Sequence, residues 1–181
     1  MTPIGGRDLK TVIREEIDLS VPSEISAMAE FLQKRYGNGV RAIVFYGSCL
    51  RRGHREGDVI DFYVIVDGYR EIFDSMLNAA LNWLLPPNVV YVETTYNGNV
   101  LRGKCASISF RDFERGVSGK WFHSYMWARF SQPCRVLYLR NEEDKSQISI
   151  TLSNAVKTMV RETLPLMSGH FTSSDLWVEA L

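Results

Sequence analysis

The spacing of apolar residues along the chain alternates between the period of a helix and that of a strand. Apolar positions three and four residues apart predict amphipathic helices in three segments of the first half: residues 8–17, 23–36 and 69–85. Runs rich in β-branched and aromatic residues predict strands in four segments: residues 40–46, 59–66, 89–96 and 100–110. The last two runs are joined by Asn97-Gly98, the dipeptide best suited to a tight hairpin turn. The alternation predicts an α/β (α+β) fold whose sheet has at least four strands.

Beyond Arg111 the pattern becomes mainly helical. Helical spacing is found in three segments: residues 121–130, 145–163 and 174–181. A change in composition at Val117-Ser-Gly119 predicts a boundary between a sheet domain, residues 1–117, and a smaller, mainly helical C-terminal lobe, residues 118–181. The last helical segment begins with capping residues but carries no helix-ending signal, so we expect the chain to be a truncated piece of a longer one.

Composition and charge exclude several classes of protein. The 181 residues include 21 Lys and Arg against 21 Asp and Glu, and the resulting net charge of zero argues against a nucleic acid partner. No apolar run approaches the ~20 residues of a membrane-spanning helix, and the N-terminus lacks the pattern of a signal peptide. Three cysteines without a paired spacing are typical of free thiols. We therefore expect a cytoplasmic or matrix-type reducing compartment, with or without peripheral attachment to a membrane.

The candidate chemistry is concentrated where the first two predicted strands come together. The first strand ends at Tyr46 and leads into Gly47-Ser48, and Asp61 lies on the next strand. Glycine lets main-chain N–H groups approach phosphate oxygens, and the serine hydroxyl adds a donor. A carboxylate opposite them can hold Mg2+, which prefers oxygen ligands shared with phosphates. The pattern predicts a nucleoside triphosphate site, and no GxxxxGK[ST], HExxH or GxSxG motif supports P-loop, zincin or α/β-hydrolase chemistry.

Gly-Ser followed by an acidic residue on the next strand resembles the signature of the DNA polymerase β-like nucleotidyltransferase superfamily. That superfamily usually carries Asp-x-Asp, whereas the residue two positions before Asp61 is Val59. Asp58, three positions before, would face the other side of an extended strand, so a second metal ligand and a solvated turn residue both stay open. Glu93 lies on a strand where these enzymes often place a further carboxylate as base or metal ligand, and an edge-strand glutamate is the alternative.

Further blocks resemble one branch of this superfamily, the mitochondrial-type CDP-diacylglycerol synthases of the translocator assembly and maintenance family. That branch carries Tyr-Gly-Ser and then an Ile-Asp-Phe-like strand without the usual first carboxylate, as this chain does. Residues 101–109 resemble its Lys-Tyr-Gly-Val-Ile-Ser strand and place Lys104 on the lysine. Residues 121–133 resemble its tryptophan-led helix, which ends in Gly-Arg-Leu-x-Lys-Pro, and place Arg129 on the arginine. The blocks keep their order over residues 40–166.

The resemblance implies a polymerase β-like mixed sheet with flanking helices and a Mg2+-dependent reaction. In that reaction CTP and phosphatidic acid at a membrane surface give CDP-diacylglycerol and pyrophosphate. The candidate catalytic residues are Asp61, Lys104 and Glu93, the candidate nucleotide-binding residues are Tyr46, Gly47, Ser48 and Arg129, and the candidate metal ligands are Asp61 and Asp58. Gln132 and Cys105 depart from a lysine and a tyrosine of the family, which bears on the substrate. Two alternatives stay open: a nucleotidyltransferase for another acceptor, either a small molecule or a protein, and a non-catalytic nucleotide-binding module.

Overall fold

The computed structural model describes residues 7–71 and 88–181, and the strands of these residues form one sheet. The five strands are β1 (Val40–Tyr46), β2 (Val59–Val66), β3 (Asn88–Tyr96), β4 (Asn99–Ser109) and β5 (Arg135–Leu139). They lie in the order β3-β4-β2-β1-β5. Strands β2 and β4 run parallel, and the other neighbouring pairs run antiparallel. With helices on both faces, this mixed sheet confirms the predicted α+β class.

The described residues form seven α-helices and three short 3-10 helices around the sheet. The α-helices are α1 (Leu9–Ile17), α2 (Ser23–Tyr36), α3 (Ser48–Arg52), α4 (Phe110–Val117), α5 (Tyr125–Phe130), α6 (Glu142–Thr163) and α7 (Ser173–Ala180). The 3-10 helices are Gly37–Gly39, Tyr69–Glu71 and Leu164–Leu166. None of the helices in the described part of the chain is both long and apolar enough to cross a membrane.

Both faces of the central strands are buried, which explains their nearly continuous apolar sequences. On β2, Phe62 and Val64 belong to the apolar cluster that α2 covers, while Tyr63 and Ile65 belong to the cluster on the opposite face. Helices α1, α4, α5 and α6 all contribute side chains to that second cluster. The sheet is therefore the middle of three layers, and the position of a residue along its strand decides which helical layer it meets.

The hairpin between β3 and β4 confirms the turn predicted at Asn97-Gly98. Asn97 and Gly98 have positive φ angles of 49° and 80°. The residues on either side, Tyr96 and Asn99, pair directly across the hairpin. Positive φ at both central residues is the geometry of a type I′ turn, whose twist matches that of the strands. The turn fixes the register of the two strands and so decides which side chains lie side by side along them.

The segment beyond residue 117 differs from the mainly helical lobe that the sequence predicts. It contains β5, which pairs with β1 and completes the sheet. All five residues of β5 are only half-buried, so the strand lacks the alternation of buried and exposed positions that identifies a strand in a sequence. Helix α6 packs in the same apolar cluster as β1, β2 and β4. Residues on both sides of the predicted boundary thus share one sheet and one core.

Two helices begin at residues other than those predicted. Helix α6 begins three residues earlier than predicted, because the side chain of Asn141 accepts a hydrogen bond from the main-chain N–H of Asp144 at 2.8 Å. Helix α5 begins only at Tyr125, four residues later than predicted. The helix predicted over residues 69–85 is described only at Tyr69–Glu71, which is a 3-10 turn, and its remainder lies outside the described residues.

Candidate functional site

The candidate site lies where the helical cover on one face of the sheet ends. On β2, Tyr63 is fully buried under the helices, whereas Asp61, two residues earlier on the same face, is half-buried. On β4 the same change occurs between Ala106, which is buried, and Lys104, which is exposed. A cleft of about 530 Å³ opens at this boundary, between the end of β1, the start of β2 and α5. Its polar lining includes Ser48, Arg51, Asp61, Ser124, Arg129 and Gln132.

Gly47 brings the main chain against the carboxylate of Asp61. Tyr46 and Asp61 are partners in the β1–β2 pairing, so the chain turns directly beside Asp61 when it leaves β1. Gly47 has a φ of 88°, and a Cβ at this position would lie 2.5 Å from Oδ2 of Asp61. Glycine is the residue that tolerates both the positive φ and the close approach. Gly47, Asp61 and the exposed Ser48, which begins α3, therefore meet in one cleft.

The carboxylate of Asp61 has no hydrogen bond and no ion pair with any residue that the structure describes. Partial burial raises the pKa of this carboxyl, and the charges of Arg129, Lys104 and Arg51 act against that rise. Because the pKa of Asp61 is raised on balance, the three cations do not fully compensate the carboxylate for the hydration that it loses on burial. A divalent cation would stabilise the ionised carboxylate, and the carboxylate oxygens are free to bind one.

Arg129 is a second charged group of the cleft that has no charged partner among the described residues. Its guanidinium carbon lies 4.8 Å from the centre of the Tyr46 ring and 4.5 Å from that of Tyr125. Packing between two rings restricts the orientation of the guanidinium. Its Nε is buried without a hydrogen-bond partner in the described part of the chain. Tyr125 was not predicted as a site residue, although its position four residues before Arg129 puts both on one face of α5.

The ring of Tyr46 separates the cleft from the apolar core. Its centre lies 5.3 Å from that of Tyr63 and 6.2 Å from that of Phe130. Burial raises the pKa of Tyr46 above its ordinary value, while the positive charge of Arg129 acts in the opposite direction. The phenol therefore stays neutral at physiological pH. It is available as a hydrogen-bond donor and not as a base.

Arg51 and Gln132 connect the two sides of the cleft. Nη1 of Arg51 donates a hydrogen bond to Oε1 of Gln132 at 3.1 Å, and Nε2 of Gln132 donates to the carbonyl of Ala128 at 3.2 Å. Arg51 was not predicted as a site residue. The sequence feature that indicates it is its position three residues after Ser48, which puts both side chains on the same face of α3. The bridge holds a second cation, after Arg129, at the mouth of the cleft.

No model of a known protein family and no curated protein matches this chain. What the cleft can bind therefore follows from its own groups. They include one side-chain carboxylate, two guanidinium groups, two serine hydroxyls and the main chain at a glycine. Together these groups suit an anionic ligand that carries a divalent cation with it.

Asp61 is the single acidic side chain among the described residues that line the cleft. The described ranges, 7–71 and 88–181, also contain no group of three or more Asp, Glu, His or Cys side chains placed to hold a metal ion. A Mg2+ ion held by Asp61 would complete its shell with ligand phosphates and water, which is a common way for proteins to bind this ion. The donor set thus fits a metal that arrives with a phosphate ligand.

Asp58, a predicted candidate metal ligand, does not line the cleft. Its carboxylate accepts hydrogen bonds from Nη2 of Arg52 at 2.8 Å and from the main-chain N–H of Arg55 at 2.9 Å. The hydrogen bond from Arg52, followed by that from the main chain, lowers the pKa of Asp58 because both favour the ionised form. The structure therefore gives Asp58 a local role in closing the loop that leads into β2.

Lys104 and Glu93 are on the same face of the sheet as Asp61 but do not line the cleft. Lys104 is the direct neighbour of Asp61 across the parallel β2–β4 pair, and its exposed ammonium group acts against the burial that raises the pKa of Asp61. Glu93 pairs with Arg102 across β3 and β4 and accepts a hydrogen bond from its Nε at 2.9 Å. Lys104 is thus placed beside Asp61, whereas Glu93 belongs to an exposed ion pair of the hairpin.

Proposed function

We propose that the chain is a Mg2+-dependent nucleotidyltransferase with the polymerase β-like arrangement, and that it converts CTP and phosphatidic acid to CDP-diacylglycerol and pyrophosphate. One observation carries the proposal: a half-buried carboxylate, Asp61, and an oriented guanidinium, Arg129, share a cleft without an ion pair among the described residues. A metal-bound triphosphate would satisfy both groups. The metal would take the carboxylate, and the phosphate oxygens would accept hydrogen bonds from the guanidinium.

The triphosphate would lie along the turn that follows β1. The main chain at Gly47 allows close approach of phosphate oxygens, and the exposed hydroxyl of Ser48 is a further donor. Arg51 and Arg129 supply positive charge from opposite sides of the cleft. Asp61 would hold Mg2+, which when bound would offset negative charge on the transferring phosphoryl group.

The cleft favours an acceptor that is already ionised. A hydroxyl acceptor needs a general base, and the described lining of the cleft offers a single acidic side chain, Asp61, which the metal would occupy. A phosphomonoester has a second pKa of about 6, so at neutral pH its oxygen can attack without losing a proton first. This difference supports phosphatidic acid over the hydroxyl group of a small molecule or a protein.

In the proposed step, an oxygen of the acceptor phosphate forms a bond to the α-phosphorus of CTP. The bond from that phosphorus to the oxygen bridging to the β-phosphate breaks, and pyrophosphate leaves with its electron pair. No proton is transferred. Arg129 and Arg51 would stabilise negative charge on the phosphoryl oxygens, and Lys104 would offset the charge of the acceptor as it approaches Asp61.

Incubation of the protein with CTP, Mg2+ and phosphatidic acid vesicles tests this proposal. We expect pyrophosphate and CDP-diacylglycerol in equal amounts. Matched vesicles of diacylglycerol, which has a hydroxyl in place of the phosphate, should give neither product. Pyrophosphate release with a hydroxyl acceptor would assign the enzyme to another acceptor class. Binding of CTP without any pyrophosphate release would indicate a non-catalytic nucleotide-binding module.

Arg129→Met is expected to weaken the binding of CTP with Mg2+ by roughly ten- to a hundredfold, because it removes a charge-assisted hydrogen bond donor. Methionine keeps much of the apolar stem that packs between Tyr46 and Tyr125. Arg129→Lys should also bind more weakly, since an ammonium group does not reproduce the planar fork. Titration calorimetry measures the affinity. Arg111→Met is the control, since this exposed arginine lies in the first turn of α4 outside the cleft, and an equal loss there would contradict the assignment.

Substitutions at Gln132 are expected to change triphosphate affinity in opposite directions. Gln132→Lys adds a cation at the cleft and releases Arg51 from its present hydrogen bond, so CTP should bind several-fold more tightly. Gln132→Glu would pair with Arg51 and add negative charge, so CTP should bind several-fold more weakly. Calorimetric titration in 20–200 mM salt (roughly a threefold range of screening length) checks the origin of the effect, because both changes should shrink as salt rises. Equal affinities in the two variants would place the triphosphate away from Gln132.

A further inference from the structure

We propose that the acceptor reaches the cleft across an exposed strip of the sheet formed by Lys104, Tyr91 and Val89, here called the acceptor strip. Tyr91 is then a binding residue for the acceptor. The inference rests on the nucleotidyl transfer proposed above and adds the side from which the acceptor, a phosphomonoester joined to an apolar body, enters the cleft.

The register of the strands places the acceptor strip beside Asp61. Asp61 on β2 pairs with Lys104 on β4, and Lys104 pairs in turn with Tyr91 on β3. Because neighbouring strands lie ~4.8 Å apart, the main chain at Tyr91 is ~10 Å from that at Asp61. Asp61, Lys104 and Tyr91 thus form a row that leads outward from the carboxylate. Val89 is two residues from Tyr91 along β3 and therefore on the same face, where it pairs with Ala106.

The helices that the structure describes cover the other strands on this face but do not cover the acceptor strip. Tyr91 is 72% exposed and Val89 is 41% exposed, whereas Val92, which points to the opposite face of β3, is 3% exposed. On the strip's own face, Tyr63 and Ala106 lie under the described helices, and the cover stops before Lys104. An aromatic ring and an aliphatic side chain are thus presented to solvent next to the candidate site, and they offer apolar contact area to a ligand.

Lys104 is the cation of the acceptor strip that is available to a ligand. It forms no hydrogen bond or ion pair within the described residues, and it is exposed. Arg102, two residues away on the same face, instead forms an ion pair with Glu93, with 2.9 Å between its Nε and Oε1 of the glutamate. A phosphate bound at Lys104 would sit one strand away from Asp61, and its apolar body would extend over Tyr91 and Val89.

The geometry of an in-line displacement favours this entry side. The attacking oxygen and the leaving oxygen lie on opposite sides of the reacting phosphorus. The donors proposed for the leaving pyrophosphate, Ser48 and Arg51, follow β1, which is the neighbour of β2 on one side. Lys104 lies on β4, which is the neighbour of β2 on the other side. A nucleotide seated over Asp61 therefore exposes the attacking side of its α-phosphorus to the acceptor strip.

A binding experiment tests the acceptor strip without requiring turnover. The protein is saturated with Mg2+ and a non-hydrolysable CTP analogue and titrated calorimetrically with dihexanoyl phosphatidic acid, a soluble short-chain acceptor. Tyr91→Glu should weaken this binding by about tenfold or more, because a like charge then lies next to the incoming phosphate. Tyr91→Phe should bind as the unchanged protein does. Glycerol 3-phosphate, which lacks acyl chains, should bind more weakly to the unchanged protein and respond less to Tyr91→Ala.

Thr95→Glu is the matched control. Thr95 is exposed on the same face of β3, four residues from Tyr91 and therefore ~14 Å farther along the strand. The same charge placed there should change acceptor binding by less than about twofold. Equal losses in Tyr91→Glu and Thr95→Glu would overturn the acceptor strip, and so would unchanged binding in Tyr91→Glu. An equal response of glycerol 3-phosphate and dihexanoyl phosphatidic acid to Tyr91→Ala would overturn the apolar part of the assignment.

Steady-state kinetics separate failure of this inference from failure of the proposed reaction. If the unchanged protein releases no pyrophosphate from CTP with phosphatidic acid vesicles, the reaction is wrong, and the calorimetric comparison still decides whether the strip binds a phosphomonoester. If it does turn over, Tyr91→Glu should raise the KM for the acceptor by about tenfold and leave the KM for CTP unchanged. A rise in the KM for CTP alone would place Tyr91 in the nucleotide site and overturn the inference.

Discussion

Asp61→Asn is expected to lose Mg2+-dependent turnover by about a thousandfold or more and at the same time to unfold at a higher urea concentration than the unchanged protein. The amide has nearly the size of the carboxylate, so the packing around Gly47 is kept. It lacks the negative charge that would hold Mg2+ beside the triphosphate. Pyrophosphate release measures the first effect, and urea titration followed by circular dichroism measures the second.

The expected gain in stability follows from the direction of the pKa shift. Burial raises the pKa of Asp61 in the folded protein above that of an unfolded aspartate, which is about 3.9. The folded state therefore disfavours the ionised form, and at pH 7 the carboxylate lowers the free energy of unfolding. Asparagine has no charge to hydrate. The stability difference should be present at pH 7 and should shrink as the pH falls through the raised pKa of Asp61.

Asp58→Asn is the matched control and should behave in the opposite way. Its hydrogen bonds from Arg52 and from the main chain of Arg55 lower the pKa of Asp58, so ionisation stabilises the folded state above the pKa of an unfolded aspartate. Loss of the charge should lower the free energy of unfolding at pH 7, and this difference should vanish as the pH falls through the lowered pKa. Turnover should stay close to that of the unchanged protein. If Asp58→Asn lost as much turnover as Asp61→Asn, Asp58 would be a metal ligand after all.

The parts of the fold that the sequence predicts well are those set by local chemistry. Strands β1 and β2 are continuous runs of β-branched and aromatic residues, and their bounds agree with the prediction at both ends. The β3–β4 turn follows from the positive φ that Asn97 and Gly98 tolerate. Strand β5 was not predicted, because its position at the sheet edge leaves every residue half-buried and its sequence shows no alternation. Its conformation depends on tertiary pairing with β1.

In the candidate site, too, the features set by the local sequence could be predicted, whereas those set by tertiary packing could not. The grouping of Gly47 with Asp61 was accessible from the sequence because β1 and β2 are consecutive strands, and consecutive strands usually lie next to each other. The hydrogen bonds that Asp58 accepts from Arg52 and from the main chain of Arg55 were not, because they depend on the conformation of the loop between β1 and β2. The packing of Arg129 between two tyrosine rings depends on how α5 docks on β1, which no local pattern encodes. Register likewise decides that Tyr91 lies in line with Asp61, two strands away.

Gly47→Ala is expected to abolish detectable CTP binding. It should also lower the free energy of unfolding by more than the cost of placing a non-glycine residue at a positive φ. A non-glycine residue at a φ of 88° costs on the order of 1–3 kcal/mol. The new Cβ would also lie 2.5 Å from Oδ2 and 3.3 Å from Cγ of Asp61, so the carboxylate or the turn has to move. Either movement would disturb the metal ligand and the close approach to phosphate together. Calorimetry with CTP and Mg2+ and urea unfolding measure the two effects.

Gly53→Ala separates the backbone strain of a positive φ from the steric clash with Asp61. Gly53 follows α3 with a φ of 82°, close to that of Gly47, but among the described residues no atom outside its chain neighbours lies within 4 Å of a Cβ placed there. Gly53→Ala should therefore show the strain without the loss of CTP binding. In a double-mutant cycle, Asp61→Ala removes Oδ2 and Cγ and should recover part of the stability that Gly47→Ala loses, with a coupling on the order of 1 kcal/mol. Equal destabilisation in Gly47→Ala and Gly53→Ala, without coupling to Asp61, would mean that the glycine serves the turn and not the carboxylate beside it.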